Sequence, residues 1–155
     1  MIDEEIKRFE EEFGKCEVER TDECLILKAG KFEREIVFHQ NGKKRYEFNY
    51  KDGKREGRQF WFYKNGNREY EENYENGKRE GKEFGWYPDG KREYEHNYKK
   101  GELHGKQFEW YENGERKYEW NYKNGKEEGR QFGFYKNGNR EYELNFKNGV
   151  LVDDL

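Results

Sequence analysis

A period of 24 residues runs through this chain and leaves few folds open to it. Glycine returns at Gly42, Gly66, Gly90, Gly114 and Gly138, and in a second series at Gly53, Gly77, Gly101, Gly125 and Gly149. Tyrosine keeps step at Tyr46, Tyr70, Tyr94, Tyr118 and Tyr142, and phenylalanine at Phe60, Phe84, Phe108 and Phe132. A fixed period of this length marks a stacked-repeat architecture, in which one unit cannot bury its apolar face alone and its neighbours supply the cover.

Within a unit, a run such as Arg58 to Tyr63 is followed by Lys-Asn-Gly-Asn, then by Arg68 to Tyr74 and a glycine-containing turn of seven. Asn-Gly between alternating runs signals a hairpin, read here as a type I′ turn with positive φ at both central residues. No connection is long enough for a crossover. The expected fold is therefore all-β, an elongated antiparallel β-meander of 24-residue hairpin repeats with a short N-terminal capping helix. Alternation sets Tyr70, Glu72 and Tyr74 against Glu69, Glu71 and Asn73, and Phe60 and Phe62 against Gln59 and Trp61. It predicts one face laddered with rings and another laddered with Glu, Arg and Asn. The column Glu71, Glu95, Glu119, interleaved with Arg68, Arg92 and Arg116, then reads as a solvated charged face.

The ends depart from the period. Ile2, Ile6, Phe9 and Phe13 fall on one side of a helix over residues 2–13, with Asp3 as its N-cap, and the open end of the repeat stack is the surface expected to receive it. Residues 15–42 read as degenerate repeat: LILKAG at 25–30 lies over FNYKDG at 48–53, and EIVFHQNG at 35–42 over QFWFYKNG at 59–66. Val150, Leu151 and Val152 read as a closing strand, with Asp153 and Asp154 discouraging further pairing. The whole chain, 1–155, is expected to be one domain: 1–14 capping helix, 15–42 degenerate capping repeats, 43–149 regular repeats and 150–155 C-terminal cap.

Composition narrows the function. Aromatic residues make up 19% of the chain, and between Lys43 and Glu143 the only Ile, Leu or Val is Leu103. The core must then be built from rings. Charged residues make up 43%, at a net charge of −3, and are interleaved in sign, which argues against a nucleic-acid face or a polybasic membrane anchor. No apolar run reaches the ~20 residues of a membrane helix, and the acidic start MIDEEIKRFEEEF has no leader-like apolar core, so cytoplasmic residence is expected. Cys16 and Cys24 fit no zinc or CxxC pattern and read as reduced thiols. His39, His96 and His104 have no Asp, Ser or Cys at a catalytic or ligand spacing. Gly53 to Gly57 lacks the Lys-Ser/Thr of a phosphate loop and reads as a turn. No catalytic residue, cofactor or metal is expected.

The internal copies supply their own comparison. Positions that change from unit to unit without disturbing the hairpin are free to meet a partner: Glu72, His96 and Trp120 on the ring face, Trp61, Gly85 and Glu109 on the opposite face, and Leu103 with His104 in one turn. Setting Gly85 aside and adding Trp86 and Trp110, expected to line a groove with Trp120, gives the candidate protein-binding set.

The stretch YPDGKREYEHNYKKGELHGK at 87–106 resembles the MORN repeat, which combines Tyr-Glu, an aromatic-Lys-Asn-Gly segment and Gly-x-x-x-Gly. It is most similar to the bacterial variant, and the resemblance extends over roughly residues 30–149. It implies elongated sheets of consecutive hairpins that act as interaction scaffolds without chemistry of their own. It also implies another protein as partner, in the antitoxin- or immunity-like case a toxin that is occluded; the alternative is a membrane- or lipid-associated scaffold. The chain departs from the common unit in carrying Phe48, Glu72, His96, Trp120 and Leu144 where glycine follows Tyr-Glu.

Overall fold

Ile2, Ile6, Phe9 and Phe13 line one side of α1 (Ile2–Phe13) in the computed structural model, which describes residues 1–152. Met1 holds the N-cap position and makes no side-chain cap bond. Asp3, expected as the cap, instead joins Glu4 and Glu5 in the first turn, where carboxylates face the positive end of the helix dipole. Gly14, at φ 88, ends the helix and donates its N–H to Glu10 O at 2.8 Å.

The backbone forms two units, Met1–Lys78 and Arg79–Leu155. In the first, α1 is followed by β1 (Glu17–Arg20), β2 (Cys24–Ala29), β3 (Phe32–Phe38), β4 (Lys44–Lys51), β5 (Lys54–Arg55), β6 (Gly57–Phe62) and β7 (Arg68–Glu75), each antiparallel to the one before or, at β6, to β4. The short β8 (Lys78–Arg79) falls at the boundary. The second unit repeats the scheme in β9 (Gly81–Trp86), β10 (Arg92–Lys99), β11 (Glu102–Leu103), β12 (Gly105–Trp110), β13 (Arg116–Lys123), β14 (Lys126–Glu127), β15 (Gly129–Phe134), β16 (Arg140–Lys147) and β17 (Val150–Val152). The closing strand pairs with β16, Leu151 opposite Phe146; Asp153 and Asp154 lie outside the described residues.

The aliphatic core sits under the helix. Phe9 is fully buried against Leu25, Leu27 and Ile36, with Ile2, Ile6 and Phe13 around them. The helix thus covers a face of β2 and β3, not the open end of the stack. A strand edge offers unpaired N–H and C=O groups that an apolar helix side cannot satisfy, and β1 covers β2's free edge with backbone pairing instead.

Two turn types alternate, and they exchange the expected roles. The type I′ turn occurs in the other glycine series, where Asp52 and Gly53 have φ 51 and 73, and Asn76 and Gly77 have φ 51 and 81. The Lys-Asn-Gly-Asn turns are five-residue loops with positive φ at the glycine alone. Tyr63 N–H donates to Asn67 O at 2.9 Å, Gly66 N–H to Tyr63 O at 2.8 Å, and Asn67 N–H to Asn65 Oδ1 at 2.9 Å. The residue before the glycine is there for its side-chain acceptor, which Asp89 also supplies, to Lys91 N–H at 3.1 Å. The turn of seven resolves into the I′ turn, the two residues of β5, and a bulge at Glu56 and Gly57 before β6 resumes pairing with β4, Phe60 opposite Glu47.

Loop length sets register, and register corrects the predicted faces. Trp61 lies opposite Tyr70 and Phe60 opposite Glu71. Gln59 and Trp61 therefore share a face with Tyr70, Glu72 and Tyr74, whereas Phe60 stands with the glutamates. Each unit has a tyrosine face and a phenylalanine–glutamate face; rings occur on both, because the two strands of each hairpin enter the five-residue loop with opposite alternation.

Candidate functional site

On the phenylalanine–glutamate face one composite recurs. Arg68 lies 5.0 Å over the Phe60 ring and bonds Glu71 at 2.8 Å. Arg92 lies 4.3 Å over Phe84 and pairs with Glu95 at 3.3 Å; Arg116 lies 5.0 Å over Phe108 and pairs with Glu119. Glu71 is only 7% exposed. The column read as a solvated ladder is thus a packed ring–guanidinium–carboxylate stack, in which each group already has its partner. Near α1 the same face holds ion pairs from Arg8 to Glu47 at 2.9 Å, Lys44 to Glu47 at 2.7 Å and Arg34 to Glu12 at 3.0 Å. Burial opposes the charge on Glu47, but the Lys44 hydrogen bond and the charges of Lys44, Arg8 and Arg34 together outweigh it and hold the carboxyl below the usual range.

The tyrosine face carries most of the candidate residues. In the first unit it holds Trp61 and Glu72; in the second it holds His96, Glu109 and Trp120, with Leu103 opposite Tyr98. Trp61, Gly85 and Glu109, expected on the other face, lie here because they sit opposite Tyr70, Tyr94 and Tyr118. Trp86 and Trp110 do not join Trp120. Each packs beside the phenylalanine two residues before it, at 5.8 Å, so the groove of three tryptophans does not form.

Stacked pairs recur on the tyrosine faces: in the first unit Tyr46 on Phe48 at 4.3 Å, and in the second Tyr94 on His96 at 4.5 Å and Tyr118 on Trp120 at 4.6 Å. His96 lies 3.9 Å from Glu109, which also pairs with Lys117 at 3.3 Å. Burial lowers the His96 pKa; Glu109 opposes this and Arg79 adds to it, so the ring is neutral at pH 7. Where Gly85 and Gly133 replace the side chains of sister units, the rings of Tyr94 and Tyr142 lean over them, so close that a β-carbon at either glycine would meet a ring carbon at 2.2 Å.

His104 has a structural role. Its Nδ1 accepts the Asn124 N–H at 3.3 Å, as the Glu56 carboxylate accepts Asn76 N–H and the Glu128 carboxylate accepts Asn148 N–H, both at 2.7 Å. Each brackets the next I′ turn. His39 similarly stands in for a tyrosine: its Nε2 contacts Phe62 O at 2.9 Å, while Tyr87 and Tyr111 hydroxyls donate to Trp110 O and Phe134 O at 2.7 and 2.9 Å. Gln59, Gln107 and Gln131, 0–3% exposed, were not among the candidates although their recurrence at period multiples signalled a fixed role. Cys16 and Cys24 are free thiols, pushed up first by burial and then by Glu10 and Glu35 respectively. Among the described residues, no cluster of His, Cys, Asp and Glu is arranged to hold a metal, and no helix is long and apolar enough to cross a membrane.

The family model described as MORN repeat variant matches residues 34–52, 55–76, 79–100, 103–124 and 127–148. Each of the last four matches begins at or beside a two-residue strand and ends within the following I′ turn. Among curated proteins none matches the chain.

Proposed function

Because this chain belongs to the MORN repeat variant family, whose matches cover more than half of it, we propose that it is a non-catalytic scaffold that binds another protein through the tyrosine face of its repeats. MORN repeats are associated with protein- and membrane-binding scaffolds. One observation favours this face. The positions that differ most between repeats, Trp61, Gly85, Glu109 and Gly133 in one row and Glu72, His96, Trp120 and Leu144 in the next, all belong to tyrosine faces, whereas the other face repeats a closed stack of Phe, Arg and Glu. Side chains that vary over a constant backbone are the means by which repeat proteins distinguish partners. The specific case we propose is a toxin whose surface the scaffold occludes.

The test compares capture of a partner by the wild type, by Trp120→Ala, and by Lys82→Ala with Lys106→Ala, which alter exposed lysines of the other face. Trp120→Ala should weaken the complex by ~2 kcal/mol or more while the lysine variants bind normally. It should leave the melting temperature nearly unchanged, because sister units carry Glu72 and His96 at that position. Normal binding by Trp120→Ala with loss in the lysine variants would reverse the choice of face. Flotation with anionic liposomes would favour the membrane scaffold, against which the interleaved charge argues.

A further inference from the structure

One repeat carries a cage whose internal occupant has been replaced. In the first unit the Arg55 guanidinium lies over Phe48, Trp61 and Tyr74 at 4.7, 5.7 and 5.4 Å, donates to the Tyr74 hydroxyl at 3.3 Å and pairs with Glu72 at 3.6 Å. Arg79, one period on, lies 5.1 Å over Tyr98 and donates to its hydroxyl at 3.1 Å. Three periods after Arg55 the register is the same, with Glu127 opposite Tyr122 as Arg55 is opposite Tyr50, and Gly133 opposite Tyr142 as Trp61 is opposite Tyr70. Trp120 stands in the place of Phe48 and Phe146 in that of Tyr74. The two groups that fill the first cage, an arginine and an indole, have become a carboxylate and a glycine.

The result is an open recess of about 220 Å³ walled by Trp120, Tyr122, Glu127, Tyr142, Leu144 and Phe146. Tyr142 leans over Gly133, which stands at the position of Trp61 in the first unit. Among the described residues the Glu127 carboxylate has no hydrogen bond or ion pair. Glu127 stands opposite Tyr122 in the strand pairing, and burial first and the Glu127 charge second push the Tyr122 phenol up.

We propose that this recess receives an arginine side chain from the partner polypeptide, its guanidinium over the Trp120 and Phe146 rings and paired with Glu127. The internal template selects arginine: a planar guanidinium already occupies the equivalent cage in the first unit, and a flat cation stacks on rings while bonding a carboxylate at its edge. Replacing an internal cation by an anion makes the site complementary to an external one. This deepens the protein-binding reading and rests on it.

The test titrates the full chain with acetyl-Gly-Arg-Gly-amide and follows the Trp120 indole N–H and the Gly133 amide by NMR. Saturable shifts at both are expected, with binding at least about tenfold weaker when citrulline, the uncharged counterpart, replaces arginine. Glu127→Arg should abolish the response and keep or raise the melting temperature, since the chain would fill its own cage as Arg55 does; Glu127→Gln should weaken the response without affecting the fold. No saturable shift, equal response to citrulline, or persistence in Glu127→Arg would overturn the proposal. Tighter binding of the lysine peptide or of tetramethylammonium would overturn the choice of arginine. The titration uses no natural partner, so a null result alongside capture that depends on Trp120 removes the cage and leaves the scaffold reading standing.

Discussion

Gln59 is buried because a β-bulge needs it. Between Arg55 and Phe60 the strand has four residues where β4 has two between Tyr50 and Glu47, and although Glu56 N–H still donates to Asn49 O at 3.0 Å, the Asn49 N–H is left without a backbone acceptor. The Gln59 side-chain amide supplies that acceptor, taking the Asn49 N–H at 2.9 Å, and its Nε2 joins the Glu56 N–H on the Asn49 carbonyl at 2.9 Å. Gln107 and Gln131 do the same for Asn97 and Asn121. Gln107→Leu, similar in size but without an amide, should cost about 1–3 kcal/mol in denaturant unfolding, the penalty of leaving the buried Asn97 N–H unmet while the Asn97 carbonyl keeps the His104 N–H; an unchanged midpoint would show that water serves the bulge equally well. His96 carries a different residue-scale expectation. Its folded pKa lies below the ordinary 6.5, so the unfolded chain binds the proton more readily. The stability it confers is complete above pH 6.5 and is lost as pH falls through the lowered folded value. His96→Phe, with the ring that sister position Phe48 already carries, should flatten the pH dependence of the melting temperature below pH 6.5 relative to wild type. If both proteins titrate alike, the slope belongs to other groups.

Among the elements, α1 joins an apolar stripe to an ionic one. Phe9 is enclosed by Leu25, Leu27 and Ile36, while Glu5, Arg8 and Glu12 reach Lys44, Glu47 and Arg34 on the sheet. The polar side of the helix is half of its attachment. Phe9→Ala should cost about 3–5 kcal/mol, the usual penalty for emptying a fully buried aromatic site. The loss should appear in far-UV circular dichroism as helix released before strand. A single coincident transition with a small shift in midpoint would mean that the ion pairs hold the helix without Phe9.

Within each unit, stability is distributed over near-identical neighbours, since each hairpin is paired within itself and to the hairpin beside it, as β12 is to β13 and to β10. Deleting one period, Gly105 to Glu128, rejoins His104 to Gly129 in the same phase and lets His104 bracket the Asn148 turn as Glu128 does. The shortened chain should keep its β-type circular dichroism and cooperative melt at a lower temperature, having lost Trp120, Tyr122 and Glu127. Complete unfolding would show that the repeats are not interchangeable despite their common register.

The 24-residue period, the hairpins and the helix over residues 2–13 were all readable from the chain alone, because local spacing and turn chemistry determine them: a glycine series cannot recur for five units unless the backbone needs it. The alternation within each strand was readable for the same reason. Which rings share a face was not. That depends on how many residues the Asn-Gly loop consumes and where the bulge falls, so a one-residue difference in pairing moves Phe60 to the glutamates and Trp61 to the tyrosines. Trp86 and Trp110 were misplaced with them, as were Gly85 and Glu109. The helix's seat, the closure of the Arg–Glu columns over phenylalanine and the recess beside Glu127 are likewise tertiary. They arise only when residues distant in the chain are set opposite one another by pairing that no single segment encodes.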